Sequence, residues 1–388
     1  MRGRPIEMDV VLVHPYLNQR GGGDRVILDI AEKFNPVIYT TVYEPENTFP
    51  GFRDFDVRIM PKSAIEPTLF LDPRRANALR AGLRFYFGRI REDYDVINAN
   101  GSPSEWIRNR NPRVCWLVYS PSREAFDLYG WRMARLRFPQ KQLNYGFIRA
   151  FRHVEYSVVP RIEKLCAISE VAEERIRKYL HRSDAEVIHP GIDPRGFEPG
   201  DYGKYFFIPS RIVPEKQLEF SINAFRMFSA GHRDWKLVIS GFNPDPSGAY
   251  LGELKSLASG LNVEFRVNPA EKEFHELYSG CYATLFSAIN EDWGLTPLES
   301  MACEKPCISI NEGGPRYSIV DGKTGYLVNS AHEMAEKMDY LSENPAENAT
   351  MGKAGRKRVL ENFTKEIFLQ KLGKAFRDAS AASATPRA

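Results

Sequence analysis

The chain has 388 residues, with 53 Lys and Arg against 50 Asp and Glu, and 43% apolar and 12% aromatic side chains. That length suits two domains rather than one, the apolar share excludes a disordered or fibrous chain, and the near-neutral balance excludes a global pull on nucleic acid. The N-terminal "MRGRPIEMDVVLVHP" has an apolar run only a strand long and nothing approaches the ~20 apolar residues of a spanning helix, so a cytosolic protein without signal peptide or anchor is expected.

"MDVVLVHP" opens the chain as a short continuous apolar run of the kind buried in a parallel sheet. "GGGDRVILDIAEKF" follows, a glycine turn and then apolar residues at helical spacing. "PVIYTTVY", "DVRIM", "YDVINAN" and "RVCWLVYS" predict further strands between helical stretches. "KLCAISEVAEERIRKYL" predicts a strand and then a helix with Ser169 as N-cap. A Pro/Gly-rich passage at 190–203 reads as a linker. Beyond it, "KYFFIPS", "KLVIS", "VEFRV", "YATLFSA", "PCISI" and "GYLV" alternate with helices near 214–230, 249–259, 271–279, 297–303, 331–341 and 346–361. The tail from Ala379 is small and polar and is expected to be disordered. Two runs of strand–helix alternation imply two doubly wound α/β domains, 1–192 and 193–365, with a terminal helix and tail at 366–388. Ligands of such sheets bind at the carboxyl ends of strands, so the expected site is a cleft between the domains.

Cys115, Cys166, Cys281, Cys303 and Cys307 are an odd, scattered set, expected as buried thiols in a reducing compartment rather than disulfides or a zinc site. The acidic triplets at 54–56 and 93–95 precede strands and read as turn residues, so no metal is expected. His14, followed by Pro15 and with no visible partner, reads as a loop residue.

Three strand-to-helix loops carry chemistry suited to an anion. "INEDWGLTPLESMACEKP" (289–306) leaves a strand and enters a helix; Thr296 at N-cap, Pro297 at N1 and Glu299 at N3 read as a capping box. That local role leaves Glu291, Asp292, Trp293 and Gly294 unexplained. "SRIVPEK" places Arg211 before a helix starting at Pro214, with Lys216 in its first turn. A cation there opposes the helix dipole and suggests an anion nearby. "RGGGDRV" lets backbone approach a ligand at a helix start, but Val26 stands where the dinucleotide fingerprint needs a glycine.

Together, "SRIVPEKQLEFSINAF", "CAISEVAEERIRKYL…VIHPGID" and Glu291-x7-Glu299 followed by "SMACEKPCISINEGGP…VDGKTGYLV" resemble the family-4 retaining glycosyltransferases, over about residues 9 to 365. The resemblance implies a GT-B architecture of two Rossmann-like domains. It implies transfer of a hexose, mannose favoured, from a GDP- or UDP-linked sugar held mainly by the second domain, with no further cofactor. Arg211 and Lys216 would neutralise the diphosphate, Glu299 would bind the ribose hydroxyls, and Glu291 would face the sugar. Gly294, Leu295 and Thr296 would offer N–H groups to sugar or phosphate, and Val267 would lie against the base. Gly22 and Gly23 would meet the diphosphate or the acceptor. Tyr119 stands where a donor-contacting histidine is usual, Glu304 where a glycine is usual, and Tyr317 where an acid is usual. Glu304 and Tyr317 are expected near the donor loop. These departures motivate a rival reading, a non-catalytic sugar-nucleotide-binding protein; a sugar-nucleotide epimerase on the same two-domain plan is a third.

The stretches 72–92 and 129–153 mix arginines with aromatics and leucines. They suit an anionic membrane surface and thus a lipid-linked or cell-surface glycan acceptor at the inner face of the membrane; the alternative is two ordinary helices with solvated basic faces. No RNA-stacking signature is present.

Overall fold

The computed structural model describes residues 8–63, 73–245 and 247–382, with backbone only for 73–75. The expectations about residues 1–7, Asp72 and the last six residues lie outside it. The chain divides into two compact units, one running to His189 and resuming at Leu369, the other Pro190–Phe368.

The first unit contains strands β1 (Val10–Val13), β2 (Tyr16–Leu17), β3 (Val37–Thr40), β4 (Val42–Tyr43), β5 (Val57–Ile59), β6 (Val96–Asn100), β7 (Val114–Val118), β8 (Lys164–Ala167) and β9 (Glu186–Val187). Its helices are α1 (Gly22–Phe34), α2 (Pro73–Phe87), α3 (Tyr129–Arg135), α4 (Gln140–Val158) and α5 (Glu170–Arg175). Seven strands form one sheet in the order β5-β3-β1-β6-β7-β8-β9, each neighbour parallel, while β2 and β4 pair separately. β1, β6 and β7 are buried at every residue, which explains their unbroken apolar runs: both faces of a parallel sheet are covered. Two asparagines interrupt β6 and partly satisfy one another: Asn100 Nδ2 donates to Asn98 Oδ1 at 2.8 Å and Asn98 Nδ2 to the Cys115 carbonyl.

The second unit contains β10 (Tyr205–Pro209), β11 (Lys236–Gly241), β12 (Val263–Val267), β13 (Ala283–Phe286), β14 (Cys307–Ile310) and β15 (Gly325–Val328). Its helices are α6 (Leu218–Ser229), α7 (Ala249–Leu257), α8 (Glu271–Gly280), α9 (Thr296–Ala302), α10 (Pro315–Ser318), α11 (Ala331–Glu343) and α12 (Pro345–Asn362). The sheet order is β12-β11-β10-β13-β14-β15, again parallel throughout. One side of its core is aromatic: Phe206 stacks on Trp235 at 5.2 Å, and the Phe228 and Tyr282 rings meet them edge-on.

Two local expectations change. The helix expected over 214–230 is broken: Pro214–Lys216 form one 3-10 turn, Gln217 turns left-handed at φ 45°, and α6 starts only at Leu218. The tail is not disordered from Ala379; α13 (Lys365–Ala382) runs through it, with Ala379 buried and Phe376 packed 5.0 Å from the Phe34 ring. Ser169 does cap α5, accepting from Ala172 N at 3.1 Å, and all five cysteines are free and buried.

Candidate active site

In the second unit, β10 and β13 are adjacent and parallel, so the loops at their carboxyl ends rise from the same sheet edge. Arg211 lies exposed on the loop after β10. Lys216 closes the following 3-10 turn, and its Nζ donates to Glu291 Oε2 at 2.6 Å, from a side chain only 17% exposed. The Lys216 ammonium also lies 5.7 Å from the Phe286 ring centre. The anion inferred from the lysine's unfavourable place is thus, in the first instance, Glu291 itself.

The loop carrying Glu291 is held from several sides. Ser287 Oγ donates to the Lys216 carbonyl at 3.0 Å, and Trp293 Nε1 to the Pro190 carbonyl at 2.9 Å, with its ring packed on Phe363. Gly313 and Gly314, on the loop after β14, press backbone against backbone. A Cβ at Gly313 would stand 2.4 Å from the Glu291 carbonyl oxygen, and one at Gly314 2.3 Å from that of Trp293. This explains the "EGGP" sequence: only glycine leaves room there. Asn290 at φ 53° and Gly294 at φ 83° supply the bends.

α9 begins one residue earlier in its geometry than a capping box requires. Leu295 is the N-cap and no side chain caps it, so the box expected from Thr296 and Glu299 does not form. Thr296 Oγ1 instead points to the Pro209 carbonyl at 3.4 Å, tying α9 to the end of β10. The Glu299 carboxylate accepts from the hydroxyl of Tyr278, a residue the sequence reading did not single out. Burial, and then this carboxylate, push the Tyr278 hydroxyl well above its ordinary pKa, so it stays a neutral donor. Val267 ends β12, two strands from β10, on the same edge of the sheet.

Glu304 is not near this loop. It follows the C-terminus of α9, about 10 Å along the helix from Thr296, at φ 57°. Its carbonyl accepts from Tyr202 OH at 3.0 Å and faces Gly352, where a Cβ would come within 1.9 Å. A glycine is usual there because the turn is left-handed, a backbone reason with no bearing on ligand choice. Tyr317 stands in α10, three residues after Gly314.

In the first unit, Gly21 caps α1, and its own N–H donates to Asp24 Oδ2 at 3.1 Å. Asp24, only 2% exposed, also lies 3.8 Å from His14 Nε2. His14 therefore has the partners its sequence neighbours did not reveal: its Nδ1 also bonds the Asn100 carbonyl at 2.9 Å. Burial lowers its pKa to about 4, so the ring is neutral at physiological pH. Tyr119 OH donates to the Gly23 carbonyl at 3.4 Å, and burial followed by the Asp24 and Asp29 charges raise its pKa. The structure thus gathers Gly22, Gly23, Tyr119 and His14 around Asp24. The acid at the third helical position was the available signal for it. Among the described residues no His, Cys, Asp and Glu cluster is placed to hold a metal; Asp56 pairs with Arg58 and Asp95 accepts from Asp9 N.

Comparison with known proteins gives a consistent pattern. Residues 194–358 match the family described as glycosyl transferases group 1. The alpha-1,3/1,6-mannosyltransferase ALG2 of Mus musculus is 34% identical, over 96% of this chain and 96% of its own. Its counterpart from Dictyostelium discoideum is 25% identical over 94% and 97%. Among solved structures, sucrose-phosphate synthase from Thermosynechococcus elongatus superposes with a TM-score of 0.73 at 18% identity, covering 97% of this chain and all of that one. Anabaena HepE in complex with UDP-glucose gives 0.72 at 14% identity, covering 95% and 98%. These structures share the two-unit GT-B fold.

Proposed function

Because the chain belongs to the glycosyl transferases group 1 family, and so is a nucleotide-sugar-dependent transferase, we propose that it moves mannose, with retention of configuration, from a GDP- or UDP-linked donor to a lipid-linked glycan. The observation that carries this reading is the 34% identity to a mannosyltransferase along 96% of both chains. Family membership sets aside the epimerase and the binding-only alternatives.

Breaking the anomeric bond builds negative charge on the departing diphosphate and positive charge on the ring. Arg211 and Lys216 are assigned to the diphosphate, with the N–H groups of Gly294, Leu295 and Thr296. Fixed donors of this kind are each worth ~2.7–4 kcal/mol when removed. Glu291 is assigned to the sugar and, through its 2.6 Å bond, to the aim of Lys216. Glu299, oriented by Tyr278, is assigned to the ribose, and Val267 to the base. Tyr119 and the Gly22–Gly23 backbone are assigned to the reacting sugar or acceptor, Tyr119 as a neutral phenol.

Location at the inner face of a membrane fits the acceptor. Among the described residues no helix is long and apolar enough to cross a bilayer. The two basic stretches differ, however. α2 is a packed helix, Gly82 lying flat against the Trp106 ring. The 129–153 stretch instead exposes Trp131, Phe138, Leu143 and Tyr145 beside its arginines, and it is this stretch that is proposed to meet anionic lipid.

The test is transfer from labelled GDP-mannose, UDP-glucose and UDP-N-acetylglucosamine to lipid-linked glycans in membrane extracts. Mannose transfer with an unchanged anomeric configuration supports the reading. Exclusive transfer of another sugar, or to a soluble acceptor alone, overturns it.

A further inference from the structure

Beside α3 and α4 a groove of about 380 Å³ opens on the first unit, lined by Tyr129, Tyr145, Arg149, Arg152, His153 and Tyr156 over a floor of Ile148. Its pattern is written along α4. Asn144, Ile148, Phe151, Glu155 and Val158 are the buried row. Tyr145, Arg149, Arg152 and Tyr156 repeat the same spacing one residue later, a stripe turned ~100° round the helix. Part of this row packs, Arg152 against Tyr129 and Tyr156 against His181, while Tyr145 and Arg149 stay at the surface.

The groove is built for negative charge. No acid lines it. The one acid of α4, Glu155, is buried on the other row and accepts from Trp106 Nε1 at 2.5 Å. Two acids on the segment before α3 are occupied: Glu124 by Arg132 at 2.8 Å and Asp127 by Arg123 at 3.0 Å. Arg152 is a fixed wall, its guanidinium bonded to the Ala125 carbonyl and lying 4.6 Å from the Tyr129 ring centre. Arg149 and His153 are exposed, four residues apart, and among the described residues neither enters an ion pair. Tyr145 and Tyr156 are 51% and 44% exposed; the Tyr156 ring has His181 stacked 5.9 Å away, and Tyr145 is the more open face beside the cations.

We propose that this groove binds a phosphate ester, with Arg149 and His153 on the phosphate oxygens and the tyrosines against the group it is esterified to. A guanidinium fork matches phosphate oxygens in pairs, and aromatic faces accept sugar or alkyl C–H groups. The exposed Trp131 and Phe138 nearby make a lipid headgroup one source of that phosphate and a free phosphate metabolite the other. The proposal does not depend on the donor-site reading, since it concerns binding alone.

The test uses the full chain. Calorimetry measures binding of inorganic pyrophosphate and of a short-chain lipid phosphate; flotation measures binding to phosphatidylcholine vesicles with and without phosphatidic acid. Each is repeated with Arg149→Gln combined with His153→Gln, both surface changes, with circular dichroism as a folding check. Binding of either phosphate probe, or flotation only with phosphatidic acid, weakened about tenfold or more in the folded double variant, supports the site. Response to pyrophosphate assigns the free source; response only to lipid phosphate or vesicles assigns the headgroup. No binding of any probe, or binding unchanged by the double substitution, overturns it. Because transferase turnover is not the readout, failure here leaves the proposed activity standing.

Discussion

At the start of α1 the N–H of the N-cap residue meets a carboxylate of the chain itself: Gly21 N donates to Asp24, and neutral His14 and Tyr119 close round it. At the start of α9 no side chain caps the helix, a lysine–glutamate pair stands before it, and Arg211 lies exposed on the loop after β10. Both loops look phosphate-friendly in sequence, one by its glycines and one by its cations. Each loop has its own carboxylate, but the first turns its arginines elsewhere, Arg20 to the Thr48 carbonyl and Arg25 toward Asp29, whereas the second holds Lys216 on Glu291 ahead of a helix start that no side chain caps. The donor diphosphate is therefore assigned to the second unit on electrostatic grounds, and the glycines of the first to close approach rather than charge neutralisation.

The sharpest way to break this contrast is to discharge the second loop. Lys216→Ala and Arg211→Ala should each lower kcat/KM by about 100- to 1,000-fold, the scale of ~2.7–4 kcal/mol, with little change in melting temperature. Loss of folding in step with turnover would make them structural. Next, Glu299→Ala should cost ~1–3 kcal/mol, because it removes the carboxylate partner of the Tyr278 hydroxyl, in a side chain with no solvent exposure, and leaves it only Thr296. Adding Tyr278→Phe should restore stability but not donor affinity; restoring both would leave Glu299 a purely structural role.

The first unit offers a contrasting titration. Glu105 and Glu155 are buried carboxyls, and burial, then the Glu155 charge, raise the Glu105 pKa well above its ordinary value. The folded chain thus holds a proton that the unfolded chain gives up near pH 4–5. Stability from this group is present below the unfolded pKa and is lost as pH rises through the folded one. Glu105→Gln should flatten that loss and raise stability at pH 7 by about 1 kcal/mol, read from denaturation across pH; an unchanged slope would contradict it. The smallest effect expected is from Glu304→Gly, which relieves a left-handed turn and should stabilise by about 0.5–1 kcal/mol without altering donor preference. A changed donor preference would return Glu304 to the donor loop.

Much of this was legible in the chain because parallel sheets write themselves as apolar runs. The strands at "VVLV", "VCWLV", "FFIP" and "ATLF" stand where those runs predict. Local rules misled where a distant partner competes. Thr296 and Glu299 fit a capping box in isolation, but Pro209 and Tyr278 hold them instead. Lys216 meets Glu291 across 75 positions, and His14 meets Asn100 across 86, distances no periodicity reveals. The tail read as disordered because small residues lack propensity on their own, yet packing of Phe376 on Phe34 keeps them helical.

The account's central claim, that the donor diphosphate is held by the cations of the second unit, is tested most directly by nucleotide affinity in two single variants of the full chain. GDP and UDP are titrated into Lys216→Ala and into Gly23→Ala, whose added Cβ meets only Tyr119 Cε1 at 3.7 Å. The account predicts about 100-fold weaker binding for the lysine variant and less than a tenfold change for the glycine variant. Equal affinity in Lys216→Ala and wild type, with the loss in Gly23→Ala instead, would contradict it.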